Sequence, residues 1–204
     1  MIRARKLSPV EYTQALLDRT AKLDGRYHAF IRLTPDLAMA AARQAEREIA
    51  AGRWQGPLHG IPFALEGHHR RCRPADHRAL KVLIDNVATA DAPVTARLKA
   101  AGGIMMGKLA THEFAIGGPS FDLPWPPAVN PWGGSHLPRR LVQRLGRCAA
   151  PPAWCPPRSA PDTGGSVRNP ASMCGITGHE ADLWPRQPQG RVAARPTRST
   201  TWGR

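Results

Sequence analysis

The sequence predicts an α/β fold in which helices flank a mixed, partly parallel sheet. Three observations lead to this class: capped amphipathic segments that predict helices, a short unbroken apolar run that predicts a buried strand, and their alternation along the chain. The order helix, strand, helix is typical of a sheet covered by a layer of helices. A chain of 204 residues can also bury one sizeable core, so we expect a single domain.

The first helix is predicted to begin after Ser8. The run Ser8-Pro9-Val10-Glu11 has the pattern of a capping box, with the serine as N-cap, proline in the first helical position and glutamate in the third. Apolar residues then recur at helical spacing. The predicted buried stripe consists of Val10, Ala15, Leu16, Leu17 and Leu23.

Two further helices and one strand are predicted downstream. Thr34-Pro35-Asp36 caps a second helix that ends at Gly52, and Asp91-Ala92-Pro93 starts a third that ends at Gly102. Ile104-Met105-Met106 then reads as a short buried strand. The apolar stripe of the second helix recurs every four residues and consists of Leu37, Ala41, Ala45 and Ile49.

The run from Asp162 to Pro170 contains a candidate nucleophile, Ser166. Two glycines precede this serine, and their conformational freedom lets backbone N–H groups converge where a substrate oxyanion would form. The same composition is also typical of an ordinary flexible turn. The segments that accompany the run therefore decide its interpretation.

The accompanying segments, in chain order, are Gly56–Leu65, Asp85–Val87, Ala100–Lys108, Thr111–Ala115, Asp162–Ser166 and Cys174–Gly178. Taken together in this order, they resemble the amidase signature family, over about residues 8 to 178. The resemblance implies the N-terminal part of an amidase domain over residues 1–178. It also implies the α/β amidase signature fold, of which this chain holds only a part.

The resemblance further implies that the protein hydrolyses the carbon–nitrogen bond of a small carboxamide. The family uses a serine nucleophile, a second serine in a cis peptide and a lysine. On this sequence the nucleophile falls at Ser166, and backbone N–H groups around it form the oxyanion hole. Those oxyanion-hole positions are Thr163, Gly164, Gly165 and Ser166 itself.

The other two catalytic positions hold residues that cannot do the same chemistry. The bridging cis-serine falls at Leu141, which has no hydroxyl, and the lysine falls at Glu66, which is acidic. With no serine to relay its proton and no base to accept it, Ser166 would keep the ordinary pKa of a serine hydroxyl and be a weak nucleophile. We therefore expect the chain as written to be inactive. Lys108 matches a different family position, and we interpret it as structural and not as a substitute base.

Three basic patches interrupt the family pattern, at residues 67–80, 139–161 and 179–204. They hold 14 of the 29 basic residues, all of them arginine, and only 3 of the 15 acidic ones. Such arginine-rich, proline-rich segments without helical or strand periodicity are what a GC-rich gene gives when it is read out of frame. We expect all three patches to be disordered or poorly packed.

Synonymous codons support the frameshift hypothesis. Permitted codons for residues 139–148, read one base later, give Gly-Gly-Ser-Ser-Ser-Gly-Ser. The same shift at Glu66 gives a run that begins Lys-Asp, and at His179 it gives another family-like run. We therefore predict that residues 66–80 and 139–161 are out of frame within the amidase domain. Residues 179–204 are predicted to form an out-of-frame, disordered tail.

The composition disfavours several other kinds of protein. The net charge of +14 would suggest a nucleic-acid partner, but the excess is confined to the patches, so none is expected. His68, His69, Cys72 and His77 match no regular zinc spacing, and no metal or other cofactor is predicted. No apolar run approaches the roughly 18 residues of a membrane span. A cytoplasmic protein without a membrane partner is predicted.

Three interpretations remain open from the sequence. The first is an amidase signature hydrolase with Ser166 as nucleophile. The second, within the same family, is the A subunit of a glutamyl-tRNA amidotransferase, which hydrolyses glutamine and passes on ammonia. The third is a non-catalytic remnant produced by the frameshifts. The particular amide substrate and the oligomeric state are not predicted.

Overall fold

The computed structural model describes residues 1–66, 89–111, 125–132, 158–159 and 168–177. Within these residues the chain forms four helices and four strands. The helices are α1 (Pro9–Tyr27), α2 (Pro35–Ala50), α3 (Pro93–Ala100) and α4 (Arg168–Cys174). The strands are β1 (Phe30–Leu33), β2 (Pro62–Glu66), β3 (Ile104–Leu109) and β4 (Arg158–Ser159).

The strands form one mixed sheet in the order β1-β3-β2-β4. Strand β2 runs parallel to both β3 and β4, whereas β1 runs antiparallel to β3. Leu65 of β2 pairs with Lys108 of β3 and with Ser159 of β4. The predicted mixed, partly parallel sheet is therefore confirmed, and the carboxyl ends of three parallel strands lie at the same edge.

Helix α1 begins where the sequence predicts. The side-chain oxygen of Ser8 accepts hydrogen bonds from the backbone N–H groups of Val10, at 3.0 Å, and Glu11, at 3.2 Å. The same hydroxyl donates to the carboxylate of Glu46 on α2. Ser8 therefore satisfies two of the open N–H groups of one helix and also ties that helix to the next.

Removal of this hydroxyl should loosen the first turn of α1. Ser8→Ala should lower the local opening free energy there by about 1 kcal/mol, because the capped N–H groups lose their acceptor. Hydrogen exchange of the Val10 and Glu11 amides measures the effect. Ser8→Thr, which keeps a hydroxyl, is the control. Equal exchange in the alanine and threonine variants would refute the capping role.

The buried face of α1 includes two threonines besides the predicted leucines. Leu16 and Leu17 are buried, and so are Thr13 and Thr20, whereas Ala15 is exposed. Each threonine hydroxyl donates to the carbonyl four residues earlier, at 2.7 Å for Thr13 and 2.8 Å for Thr20. Because the helix backbone satisfies the hydroxyls, threonine can occupy the apolar face at little cost.

Helix α2 has the predicted bounds and a buried face that is half as predicted. Ala38 is fully enclosed, whereas Leu37 is 48% exposed, so the stripe was wrong by one position at Leu37 and Ala41. Its other two members, Ala45 and Ile49, are buried as predicted. The physical reason is steric: small alanine side chains let α2 lie close to its neighbours, and a leucine there would hold it away.

Thr34 also differs from its predicted role. Its hydroxyl donates to the carbonyl of Met106 on β3, at 3.0 Å, and does not cap α2. The backbone N–H of Thr34 donates to the same carbonyl at 2.8 Å. Thr34 thus anchors the start of α2 to the sheet.

The main core lies between the two long helices and the sheet. Leu16 and Leu17 of α1 and the alanines of α2 pack against Ile104 and Met106 of β3. A second cluster on β2 and β3 packs against Leu98 of α3, and its buried members are Phe63, Leu65 and Met105. Strand β3 therefore takes part in both clusters, as expected for a strand that is buried along its whole length.

Helix α3 begins at Pro93 with Ala92 as N-cap, within the run Asp91-Ala92-Pro93 that the sequence predicts as its start. Asp91 forms an ion pair with Lys99 at the other end of the helix. Strand β4 differs from the prediction, because it lies in the patch 139–161, for which the sequence predicts no ordered element. Its two residues pair with β2.

The turn between α1 and β1 depends on Asp24. His28 adopts a left-handed conformation, with φ 50°, and ends the helix. One carboxylate oxygen of Asp24 accepts from the backbone N–H groups of Ala29, at 2.7 Å, and Phe30, at 3.2 Å. Burial raises the pKa of Asp24 above its ordinary value of 3.8, although these two N–H groups and His28 act in the opposite direction.

This shift predicts a pH dependence of stability. A carboxyl whose pKa is higher in the folded state binds its proton more tightly there, so protonation favours folding. The wild type should therefore lose stability relative to Asp24→Asn as pH rises from about 4 to 6, because asparagine keeps an acceptor oxygen but does not titrate. Urea titrations of α1 helicity at several pH values measure the difference. A difference that does not vary with pH would contradict the prediction.

Candidate active site

The candidate site is centred on the carboxyl end of β2. All five residues of this strand, Pro62–Glu66, are buried, as expected for an apolar strand between two neighbours and covered on its faces. The apolar run ends at Leu65, and Glu66 follows as the last residue of the strand. An ionisable side chain is thereby placed inside the protein at the edge where the parallel strands end.

Glu66 is fully buried and hydrogen-bonded. Its exposed fraction is 0%, and its Oε1 accepts from the hydroxyl of Thr111 at 2.8 Å. Thr111 lies two residues after β3 and is 1% exposed. A buried carboxyl group costs free energy unless polar groups satisfy it, so this hydroxyl contributes directly to keeping Glu66 inside. From the sequence, Thr111 is known only as the first residue of the matching segment Thr111–Ala115.

Lys108 is the second buried ionisable group near this edge. It lies on β3, is 3% exposed and pairs in register with Leu65, one residue before Glu66. It lies within a strand whose residues are all buried, and its structural role stays a prediction.

Most of the predicted catalytic residues lie outside the described residues. These are Ser166, Leu141 and the oxyanion-hole positions Thr163, Gly164 and Gly165. The cluster His68, His69, Cys72 and His77, the tail 179–204, and His112 and Glu113 also lie outside them. Of the three catalytic positions, the structure therefore places one, Glu66. Among the residues it does place, no group of three or more histidine, cysteine or acidic side chains could hold a metal ion.

The region before Ser166 and the region after it are described in part. Strand β4 ends at Ser159, and helix α4 begins at Arg168. Cys174 of α4 is buried, as predicted, and its carbonyl accepts from the indole N–H of Trp132 at 2.9 Å. In the part of the chain that can be described, no helix is both long and apolar enough to span a membrane.

A polar cluster around His59 was not predicted. His59 is fully buried, and its Nδ1 accepts from the backbone N–H of Gln55 at 3.1 Å, which assigns the proton to Nε2. Nε2 lies 3.2 Å from Oε2 of Glu48 without hydrogen-bond alignment. The side-chain amide of Gln44 donates to Glu48 and lowers the pKa of that carboxyl.

The packing around His59 explains two glycines of the Ala100–Lys108 motif. Gly102 has φ +79°, and a Cβ on it would lie 2.4 Å from Cδ2 of His59. A Cβ on Gly103 would lie 2.9 Å from the carbonyl of Leu98. The sequence shows only a lone histidine in one apolar segment and a pair of glycines in another. The contact between His59 and Gly102 cannot be predicted before the fold is known.

The mixed sheet and the helices packed on it define the class as an α/β protein. A solved structure of native peptide amidase from Stenotrophomonas maltophilia matches with a TM-score of 0.82 and 30% identity, over 94% of this chain and 40% of that one. The A subunit of glutamyl-tRNA(Gln) amidotransferase from Thermotoga maritima matches with a TM-score of 0.69 and 26% identity, over 91% and 38%.

The sequence comparisons agree with the structural ones. The family model for amidases matches residues 11–138, more than half of the chain. The A subunit of glutamyl-tRNA(Gln) amidotransferase from Thermobifida fusca is 38% identical over 178 residues, which is 87% of this chain and 35% of that protein. The chain belongs to the amidase signature family. It spans 35% to 40% of the length of these three relatives.

Proposed function

We propose that this chain is the N-terminal part of a hydrolase that cleaves the carbon–nitrogen bond of a small carboxamide, with Ser166 as nucleophile. The observation that carries the proposal is the position of Glu66. Glu66, the position to which the family resemblance assigns the catalytic lysine, is buried at the carboxyl end of β2, in a chain whose fold matches that of a peptide amidase. A buried ionisable group at such an edge is typical of an active site.

The position of β4 supports the placement of the nucleophile. Because β4 runs parallel to β2, the chain leaves it at the edge where Glu66 lies. Ser166 follows seven residues after Ser159, and α4 begins two residues after Ser166. A serine between a parallel strand and a helix has the chain context of a nucleophile elbow.

The proposed mechanism needs a serine alkoxide, a base and an oxyanion hole, because an amide is a poor electrophile with a poor leaving group. Ser166 attacks the carbonyl, and the N–H groups of Thr163, Gly164 and Gly165 stabilise the oxyanion. A neutral buried lysine at position 66 takes the serine proton through the bridging serine at position 141, and later helps protonate the departing nitrogen.

The chain with the given sequence lacks the lysine at position 66 and the serine at position 141, so we propose that it is inactive. We also propose that its gene, read in the restored frame, encodes all three catalytic residues. The shifted codons place lysine at position 66 and a glycine-serine run around position 141. The amidase family match ends at residue 138, immediately before the patch 139–161.

Two assays test the proposal. The chain with the given sequence and the full-length product of the gene, with the frame restored at all three patches, are incubated with simple aliphatic and aromatic amides, each with and without Ser166→Ala. We expect no turnover by the written chain and turnover by the restored chain that the alanine substitution abolishes. A restored chain that is silent on every amide would count against the function. Serine-dependent turnover by the written chain would count against its inactivity.

Resequencing of the locus tests the frameshift itself. We expect the cloned DNA to contain single-base differences near codons 66, 139 and 179 that return the family frame. Uninterrupted codons for residues 139–160 in several independent clones would refute it. The chain would then be the non-catalytic remnant, a polypeptide with the first helices of the family and no working triad.

A second candidate function is that of the A subunit of a glutamyl-tRNA amidotransferase. The observation that favours it is the 38% identity to the Thermobifida fusca protein. Such a protein would hydrolyse glutamine and require partner subunits. Glutaminase activity of the restored chain that rises on addition of those partners would support this candidate, and activity on other amides without them would support the first.

A further inference from the structure

Thr111 and Glu66 form a buried polar pair that connects two strands. Glu66 is the last residue of β2, and Thr111 follows β3, its parallel neighbour. The hydroxyl and the carboxylate oxygen are 2.8 Å apart, and neither residue exposes more than 1% of its surface. The pair therefore lies inside the protein, at the edge where the parallel strands end.

The chemistry of a hydroxyl makes this contact adaptable. A threonine hydroxyl donates one hydrogen bond and accepts others, so it can donate to a carboxylate or accept from an amine. The same Thr111 can thus hold the glutamate of the written chain or a lysine from the restored frame. Its β-branched side chain is also stiff at χ1, which fixes the direction of the hydroxyl.

We propose that Thr111 is the positioning residue for the proton-transfer group at position 66. It acts through that group and does not itself touch the reacting atoms. The hydroxyl restricts the side chain at position 66 to one arrangement, so that its ionisable end is held for proton exchange with the bridging serine. This inference rests on the proposed function, because only an amidase has use for a proton-transfer group at this position.

The hydrogen bond can be tested on the written chain without any activity. The side-chain carboxyl carbon of Glu66 is followed by NMR in a ¹³C-labelled full-length chain, and its resonance is assigned by its loss in Glu66→Gln. We expect Thr111→Val to move the titration midpoint of this carboxyl upward by about 1 pH unit, because a donor to the ionised form is lost. Thr111→Ser should leave the midpoint unchanged.

Thr20→Val is the matched control. Thr20 is equally buried, but its hydroxyl donates to the backbone carbonyl of Leu16 and not to an ionisable group. This variant should leave the Glu66 midpoint unchanged. If the valine at position 111 prevents folding, Thr111→Ala removes the hydroxyl without adding a methyl group to the core. A midpoint that is the same in all folded variants would overturn the proposal.

The positioning role is tested in the chain with the frame restored. We expect Thr111→Val to lower kcat roughly 10-fold to 100-fold with KM changed less than about 2-fold, because misplacement of the base affects the chemical step. Thr111→Ser should recover most of kcat, and Thr20→Val should not lower it. An unchanged kcat in Thr111→Val would overturn the proposal even if the NMR midpoint moves. If the restored chain with Thr111 intact is itself inactive, the proposed function is refuted. The NMR result would then still show whether Thr111 is hydrogen-bonded to Glu66.

Discussion

Gly107→Ala should disrupt the centre of the sheet. A Cβ at position 107 would lie 2.3 Å from the backbone carbonyl oxygen of Arg32 and 3.0 Å from Cα of Leu33. Both atoms belong to the backbone of β1, so no side-chain rotation can relieve the contact. We expect the free energy of unfolding to fall by about 3 kcal/mol, which is at the upper end of the usual cost of overpacking.

Hydrogen exchange at two amides reports this effect directly. The N–H of Thr34 donates to Met106, and the N–H of Ala110 donates to Ala29, at 2.8 and 2.9 Å. Their protection should fall by roughly 100-fold, the equivalent of about 3 kcal/mol. Gly25→Ala is the control, because nothing lies within 4 Å of a Cβ at that position of α1. Protection that survives in Gly107→Ala would show that β1 does not approach β3 as closely as described.

Gly102→Ala should have the second large effect, for two separable reasons. The backbone at this position has φ +79°, which costs a residue with a Cβ about 1–2 kcal/mol. The new Cβ would also lie 2.4 Å from Cδ2 of the buried His59. Because the imidazole is enclosed, we expect a total loss of about 3 kcal/mol.

Gly52→Ala separates the two causes. Gly52 has nearly the same φ, +76°, but nothing lies within 4 Å of a Cβ there. It should therefore show the backbone strain alone, about 1–2 kcal/mol. Exchange of the Gly60 amide, which donates to the Gly102 carbonyl at 2.9 Å, measures the larger loss in Gly102→Ala. If Gly52→Ala and Gly102→Ala lose the same stability, the side chain of His59 moves away from the new Cβ at no cost in free energy.

Local signals in the sequence were enough to predict the first three helices and the buried strand at Ile104, but not α4. Ser8, Pro35 and Pro93 all lie at or next to the helix starts that they predict, because capping depends on a few adjacent residues. The first half of the buried face of α2 was missed because Leu37 and Ala38 fit a helical stripe equally well. Which of them turns inward depends on how closely α2 approaches its neighbours, and that is a tertiary property.

The candidate site was predictable only as a set of positions. The resemblance identified position 66, but its hydrogen bond to Thr111 joins residues 45 apart in the chain. No local pattern reports such a contact. The pairing of β4 with β2 was hidden for a similar reason, since a strand of two residues is too short to show periodicity.

The position of β3 has a consequence for the order of events during synthesis. Strands β1 and β2 leave the ribosome before β3, and each of them pairs with β3, while β1 and β2 do not pair with each other. The nascent chain therefore carries two unpaired strands until Leu109 has emerged. During that interval α1 and α2 can already fold and pack against each other, because their contacts are local in the chain. The nascent chain therefore depends on these two helices, or on a chaperone, to cover its apolar strands.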